Sequence, residues 1–215
     1  PQRIFAQLDV FAFMEMPLFI LNAEIMSRAG VTRSLIDFAM SIVGRFRGGL
    51  GHVNILTSVF FAGISGSAIA DSAALSRTFV PEMKARGYDP YYAGAITAAS
   101  SMIGPIIPPS IIMIIYGGLT GASVAALFIA GVVPGLLLAV SLMVMNAVIA
   151  HVKGHPGGAS DDLPRFLPSL LNAAPAICLP IVILGSLVFG LATPTEGSAI
   201  AVFFALIAGQ FYKGL

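Results

Sequence analysis

From Pro90 to Val152 the chain carries no Asp, Glu, Lys or Arg, and the stretch from Phe166 to Thr195 is equally free of them. Each exceeds the ~20 residues that one membrane-spanning helix needs, and the first is long enough for two crossings. Composition agrees: 57% of the residues are hydrophobic and 10% are charged, where a soluble domain carries about 25% charged residues. The expected fold class is therefore an all-α integral membrane protein. A formal net charge of +1, with basic residues scattered at the ends of apolar segments rather than gathered in a stripe, argues against a nucleic-acid partner. The single cysteine, Cys178, excludes an intrachain disulfide and reads as a small packing residue.

Within this apolar chain, Gly63-Ile64-Ser65-Gly66-Ser67 interrupts a run that is too short to cross a bilayer on either side. Residues 52–64 reach only about 20 Å at 1.5 Å per residue, against a hydrocarbon core of about 30 Å. Residues 68–81 are similarly short and lead back to Lys84 and Arg86. The pair is predicted to be a re-entrant hairpin with Gly63 to Ser67 at its tip. Irregular backbone at membrane depth survives only where it is packed in protein or lines a cavity, so the tip is predicted to be a site.

A second break follows. Asp89-Pro90 places an N-cap before Pro at the first helical position, and the helix begun there is interrupted at Gly104-Pro105-Ile106-Ile107-Pro108-Pro109-Ser110. Three prolines in so short a stretch remove three donors and do not fit one regular helix. The helix is expected to resume through Tyr116, to turn at residues 117–121 and to return as residues 124–150.

The remaining segments complete the organisation. Residues 11–26 read as a transmembrane helix kinked at Pro17 and ended by Gly30. Residues 31–46 alternate Val31, Leu35, Ile36, Phe38, Ile42, Val43 and Phe46 with Arg33, Asp37, Ser41 and Arg45, the pattern of a helix lying in the interface. Residues 151–162 read as a solvated loop, 163–174 as a surface helix and 176–191 as a crossing. Thr193-Pro194-Thr195-Glu196 is a capping-box pattern that opens a last helix. The expected divisions are a transmembrane helix (1–30), an interfacial amphipathic helix (31–50), the hairpin (51–87), the broken transmembrane helix (88–121), a transmembrane helix (122–152), a cytoplasmic loop with surface helix (153–175) and two transmembrane helices (176–215). The chain opens at Pro1 with no signal peptide in view and is expected to be a fragment.

Arg28, Arg33, Arg45, Arg47, Lys84, Arg86, Lys153 and Arg165 fall on one side of this topology and Arg3 on the other. The positive-inside rule makes the basic side cytoplasmic. The hairpin then enters from the cytoplasm, with the broken helix crossing beside it.

Each break pairs a helix C-terminus, with roughly −0.5 charge on its carbonyls, with a helix N-terminus carrying roughly +0.5 on its amides. Unwound carbonyls with Ser hydroxyls suit Na⁺, and half-helix N-termini suit a substrate carboxylate. Neither break holds a carboxylate, His or Cys, so a divalent metal is disfavoured. Ser65, Gly66 and Ser67 also read as a capped tight turn. Thr97, Ser100 and Ser101 also read as small residues that pack helices, with Ser101, next to Gly104, the better ligand candidate. Asp71 is either a satisfied interhelical hydrogen-bonding group or a functional intramembrane acid. Glu15 and Glu24 are expected near helix ends or facing protein, and Glu196 is expected as a cap.

The paired motifs, Gly63 to Ala68 with Ala70-Asp71, Gly87-Tyr88-Asp89, and Thr97 to Ser101 leading into Gly104 to Ser110, resemble the large membrane (M) subunit of tripartite ATP-independent periplasmic (TRAP) transporters. Arg47-Gly48-Gly49, Leu127 to Gly131 with Pro134-Gly135, and Thr193 to Glu196 occur in the same order. The resemblance implies half of an inverted-repeat, elevator-type transporter, with the last two helices starting the second repeat. It implies inner-membrane, Na⁺-coupled uptake of an organic acid anion such as a C4-dicarboxylate or sialic acid. A periplasmic substrate-binding (P) protein would deliver the anion, a small membrane (Q) subunit would sit alongside, and no cofactor beyond Na⁺ is implied. By position, Ser65, Gly66, Ser67, Ser101 and Gly104 match the ion-site region, Ser65, Pro109 and Ser110 face the substrate, and Asp71 and Thr97 are possible supports. Departures from the family pattern are Asn22-Ala23, Gly197-Ser198 and Ser76-Arg77-Thr78, the last placing an unexpected cation on the hairpin's second arm.

Two other readings fit parts of the sequence. Gly63-Ile64-Ser65-Gly66 matches the GxSG string of rhomboid intramembrane serine proteases, which would make Ser65 a nucleophile needing a histidine base within reach. His52 lies about 20 Å away by helical rise, and His151 and His155 belong to a cytoplasmic loop. An ion channel or an unrelated secondary transporter is the other alternative.

Overall fold

A computed structural model describes residues 12–157 and 163–212. Arg3, Phe11 at the start of the first predicted helix, and the end of the predicted 151–162 loop (158–162) lie outside the described residues. Among these residues the chain is helical throughout: α1 (Ala12–Arg28), α2 (Val31–Val43), α3 (Gly49–Ser65), α4 (Ala68–Ala85), α5 (Pro90–Ser101), α6 (Ile111–Thr120), α7 (Val124–Val152), α8 (Phe166–Val188) and α9 (Pro194–Phe211). The only pairing of extended backbone among them is an isolated bridge between Arg47 and Gly157. Two helices, α7 and α8, are long and apolar enough to cross a membrane by length and composition.

The central element is α3, which is buried along almost its whole length. Its first half, with Val53 and Ile55, packs with Leu75, Phe79 and Met83 of α4, Tyr92 and Ile96 of α5 and Leu142 of α7. Its last turns, with Phe61 and Ile64, join a second core made by Phe19 and Met26 of α1, Leu35 and Phe38 of α2, Ile114 of α6, Phe128 of α7, Leu179 and Ile183 of α8 and Ala205 of α9. The apolar stripe read on α2 is real, and it is turned onto α3 and α8.

Several boundaries differ from expectation. The helix expected over 31–46 stops at Val43, where the Gly44 amide donates to the Met40 carbonyl at 2.9 Å, and Phe46 is left exposed. The hairpin arms are longer than read: α3 starts at Gly49 and α4 continues through Pro81 to Ala85. Pro81 is exposed. At 1.5 Å per residue the arms measure about 26 and 27 Å, still short of a core of about 30 Å. Gly117 lies inside α6, and the turn comes at Gly121 (φ +74°).

The predicted surface helix and following crossing are one element. α8 runs unbroken from Phe166 to Val188 with Pro175 and Pro180 inside it. Ser169, Ala173 and Ala176 bury one continuous face before and after Pro175, and packing along that face outweighs the hydrogen bonds the prolines remove. At the start of α9, Thr193 and Glu196 form the reciprocal capping box, with the Thr193 amide donating to Glu196 Oε2 at 2.8 Å and the Glu196 amide to Thr193 Oγ1 at 3.3 Å.

One end of the bundle is tied together by polar contacts. Asn146 of α7 is fully buried, donates from Nδ2 to the Gly48 carbonyl at 3.2 Å and accepts from the Tyr92 hydroxyl. The Gly48 amide and the Tyr88 hydroxyl both donate to the Pro156 carbonyl at 3.2 Å, and Lys153 pairs with Asp89 at 3.7 Å. The segment after α7, read as solvated, is therefore docked where it is described: His155 is buried, its ring 4.6 Å from Tyr88 and 4.8 Å from Tyr92. Asn146→Ala strands the buried Tyr92 hydroxyl, at a cost of about 1–3 kcal/mol, while the Gly48 carbonyl keeps the Gly51 and His52 amides as donors. The expected result is a thermal midpoint lower by roughly 5 °C or more, and an unchanged midpoint would contradict this role.

Candidate functional site

The two breaks meet. The α3–α4 turn is made by Gly66, in the left-handed region at φ +58°, and Ser67, extended at φ −137°. The Gly66 amide closes α3 by donating to Ala62 O at 3.0 Å, and its carbonyl accepts from the Ile111 amide, the first of α6, at 3.4 Å. A Cβ on Gly66 would collide with the Pro109 carbonyl oxygen. On the other side Gly104 lies against the turn, where a Cβ would come within 3.2 Å of Ser67 C and 3.3 Å of Ala68 N. The first contact needs glycine, the second leaves little room for a larger residue, and each joins one break to the other.

Around this contact lie two helix ends of each polarity. Ser67 caps α4, its hydroxyl accepting from the Ala70 amide at 3.4 Å, and Ser110 caps α6, accepting from the Met113 amide at 3.4 Å. Their free N–H groups make each half-helix start a place for negative charge. α3 and α5 end here in turn, α5 by way of successive turns through residues 102–107.

The predicted site residues separate by what their side chains already do. Ser65 is buried, with its hydroxyl only weakly engaged by the Ser67 amide at 3.4 Å. Ser101 donates to the Thr97 carbonyl at 2.8 Å, which leaves its lone pairs free. Ser110 is more committed, donating to the Pro105 carbonyl at 2.7 Å while it caps α6. Thr97 is fully used, accepting from Asn54 Nδ2 at 2.6 Å and donating to Ala93 O at 2.8 Å. Pro109 offers its carbonyl at the contact with Gly66. Ser65 and Ser67 open onto a cavity of about 300 Å³ shared with α1 and Ile111. Ser101 opens instead onto an outer groove with Ala68 and Ser72.

Beneath the turn is a buried polar layer that sequence reading reached only in part. Ser58 donates to Ser100 Oγ at 3.1 Å, and Ser100 lies 3.4 Å from Asn54 Oδ1. Asn54 and Ser58, four residues apart on α3, face Thr97 and Ser100 on α5. That matching i,i+4 and i,i+3 spacing is the signal that would have found them. Asp71, in the first turn of α4, sits beside Ser58. It is completely buried, and neither carboxylate oxygen has a hydrogen-bond partner. Of the two readings of Asp71, the satisfied hydrogen-bonding group has no well-formed hydrogen bond behind it. From α1, Asn22 donates to the Ile64 carbonyl at 3.4 Å and leaves Oδ1 buried without a partner.

Other polar residues stand apart from the site. Glu15 is buried and accepts from Thr195 at 3.1 Å, joining α1 to α9. Glu24 is exposed and paired with Arg28 at 2.6 Å. Arg77 points outward from α4 while Leu75 and Phe79 fill the packed face, so this cation leaves the hairpin's packing intact.

No histidine serves Ser65. His52 is at the far end of α3, against the Phe46 ring at 6.3 Å. His151 is hydrogen-bonded to the Ala147 carbonyl at 2.8 Å. Burial, reinforced by Lys153, holds His155 below the usual imidazole range. The protease reading lacks its base.

Comparison with known proteins agrees. The family model for the DctM component of tripartite ATP-independent periplasmic transporters matches residues 1–215. The sialic acid TRAP transporter permease protein SiaT of Haemophilus influenzae is 41% identical over 215 residues, which is 100% of this chain and 35% of that protein. The sialic acid TRAP transporter large permease protein SiaM of Vibrio cholerae is 38% identical over 208 residues, 97% of this chain and 49% of that protein. The C4-dicarboxylate TRAP transporter large permease protein DctM of Pseudomonas aeruginosa is 38% identical over 214 residues, 99% of this chain and 50% of that protein. The chain thus spans between about a third and a half of the length of these relatives. These relatives are transport permeases and not enzymes, and the chain, matched from end to end, belongs to the DctM family of TRAP transporter large permeases.

Proposed function

We propose that, within the full-length protein, the contact between the α3–α4 turn and the α5–α6 break holds Na⁺ and couples it to uptake of an organic acid anion. The observation that carries this reading is the packing of Gly66 on Pro109 and of Gly104 on Ser67. It joins carbonyl-rich helix ends and two Ser-capped helix starts, with the free lone pairs of Ser65 on the cavity side of the contact and those of Ser101 on the outer-groove side. A monovalent cation suits neutral oxygen ligands, and an anion suits the starts of α4 and α6. Ser65, Gly66, Ser67, Ser101 and Gly104 are assigned to the ion. Ser65, Pro109 and Ser110 are assigned to the substrate side, with Asp71 and Thr97 in support.

In this reading α3 and α4 form a re-entrant hairpin entering from the cytoplasmic side of the inner membrane, because both arms fall short of a full crossing. The hairpin moves with the broken helix against a scaffold that includes α2. The relatives' names specify sialic acid, C4-dicarboxylate and 2,3-diketo-L-gulonate, so the substrate class is an organic acid anion. A small membrane subunit and a periplasmic binding protein complete the system.

The test is uptake by the full-length transporter in proteoliposomes, with its binding protein, under imposed Na⁺ or K⁺ gradients. Uptake is expected with Na⁺ alone. Ser65→Ala removes one neutral ligand oxygen and is expected to raise the Na⁺ concentration for half-maximal rate by roughly tenfold. Identical Na⁺ titrations for Ser65→Ala and wild type would refute the assignment.

A further inference from the structure

We infer that the groove where α2, α3 and α7 meet at the basic end of the bundle is a binding site for an anionic phospholipid. The groove, about 540 Å³, has a polar rim of Arg45, Arg47, His52 and His151 and an apolar wall that includes Phe46 and Met143. Among the described residues no carboxylate lines it. Arg45 and Arg47 are exposed, and neither takes part in a salt bridge among the described residues. Two guanidiniums with no carboxylate partner among the described residues, above an apolar wall, match a phosphodiester headgroup above its acyl chains, and they match a zwitterionic or uncharged lipid less well.

The rim is built rather than loose. The Arg47 backbone is bridged to Gly157, and the neighbouring Gly48 amide donates to Pro156 O at 3.2 Å while its carbonyl accepts from the buried Asn146. Phe46 meets the His52 ring edge-on at 6.3 Å, which fixes the turn between the two arginines. His151 spends Nδ1 on the Ala147 carbonyl at 2.8 Å, so its other nitrogen is the one left for the groove. The groove also lies at the right level, because the charge-free run from Pro90 ends at Val152, beside it. The inference rests on the orientation proposed above, in which this end faces an anionic leaflet. Lipid binding read in detergent is independent of Na⁺-coupled uptake, so either can fail alone.

The experiment is native mass spectrometry of the full-length transporter in detergent, titrated with phosphatidylglycerol or with phosphatidylcholine of the same acyl chains. Wild type is expected to retain phosphatidylglycerol preferentially. At about fivefold per basic residue, Arg45→Gln with Arg47→Gln is expected to weaken that binding roughly thirty-fold. Arg45→Lys with Arg47→Lys is expected to keep most of it, as is Lys84→Gln, which removes a charge at the same end but outside the groove. If the glutamine pair does not fold, the wild-type lipid preference and the Lys84→Gln comparison decide. Equal retention of the two lipids, an equal loss in Lys84→Gln, or inorganic phosphate binding as tightly as the lipid would overturn the inference.

Discussion

Gly66→Ala abolishes Na⁺-driven uptake in the full-length transporter. Two costs fall on the same atom. Gly66 has φ +58°, where an L-residue loses roughly 1–2 kcal/mol, and its added methyl points into the Pro109 carbonyl. The second cost is relieved only if the α3–α4 turn withdraws from the α5–α6 break, which dismantles the proposed ion site. Gly104→Ala meets Ser67 and Ala68 at 3.2–3.3 Å, where a shift of a few tenths of an ångström suffices, and its loss is expected to be partial. Gly94→Ala, on α5 with nothing within 4 Å, is the control and keeps wild-type uptake. The measurement is initial uptake rate in proteoliposomes at matched protein content. A Gly66→Ala rate above a tenth of wild type would show that the two breaks need not touch.

Asp71→Asn produces the opposite pairing of effects, higher thermal stability with weaker sodium coupling. The buried carboxylate has no hydrogen-bond partner, and an ionised group so placed costs several kcal/mol. Asparagine keeps the shape and removes the charge, so the thermal midpoint rises. The function of the acid comes from its position in the first turn of α4. It lies about 6 Å along the helix axis from Ser67, where a unit charge attracts a cation at the turn by about 3 kcal/mol at an effective dielectric of ~20. Apparent Na⁺ affinity is therefore expected to fall at least tenfold. A destabilised variant with unchanged Na⁺ dependence would make Asp71 a structural residue only.

The features legible in the sequence were those whose chemistry is local. Ser67, Asp89 with Pro90, Ser110 and Thr193 with Glu196 were each expected near a helix start, and each caps one, because a cap is decided within three or four residues. The Gly63 to Ser67 break was visible for the same reason, although Gly63, Ile64 and Ser65 stay in α3 and only Gly66 and Ser67 leave the helix. The layer of Asn54, Ser58, Thr97 and Ser100 was not, since its hydrogen bonds join residues 42 to 46 positions apart. The prolines misled in one direction only. Pro105, Pro108 and Pro109 did break a helix, whereas Pro81, Pro175 and Pro180 lie within helices. What separates them is tertiary: Pro81 faces out and the face of α8 stays packed through Pro175, while the 102–110 segment is held open by the hairpin turn seated in it.

The central claim, that the joined breaks hold a sodium ion, is tested most directly by equilibrium binding of radioactive sodium to the purified full-length transporter. Saturable binding that K⁺ does not displace is expected in wild type and in Gly94→Ala, and its loss is expected in Gly66→Ala. Saturable binding of equal affinity in wild type and Gly66→Ala would contradict the claim.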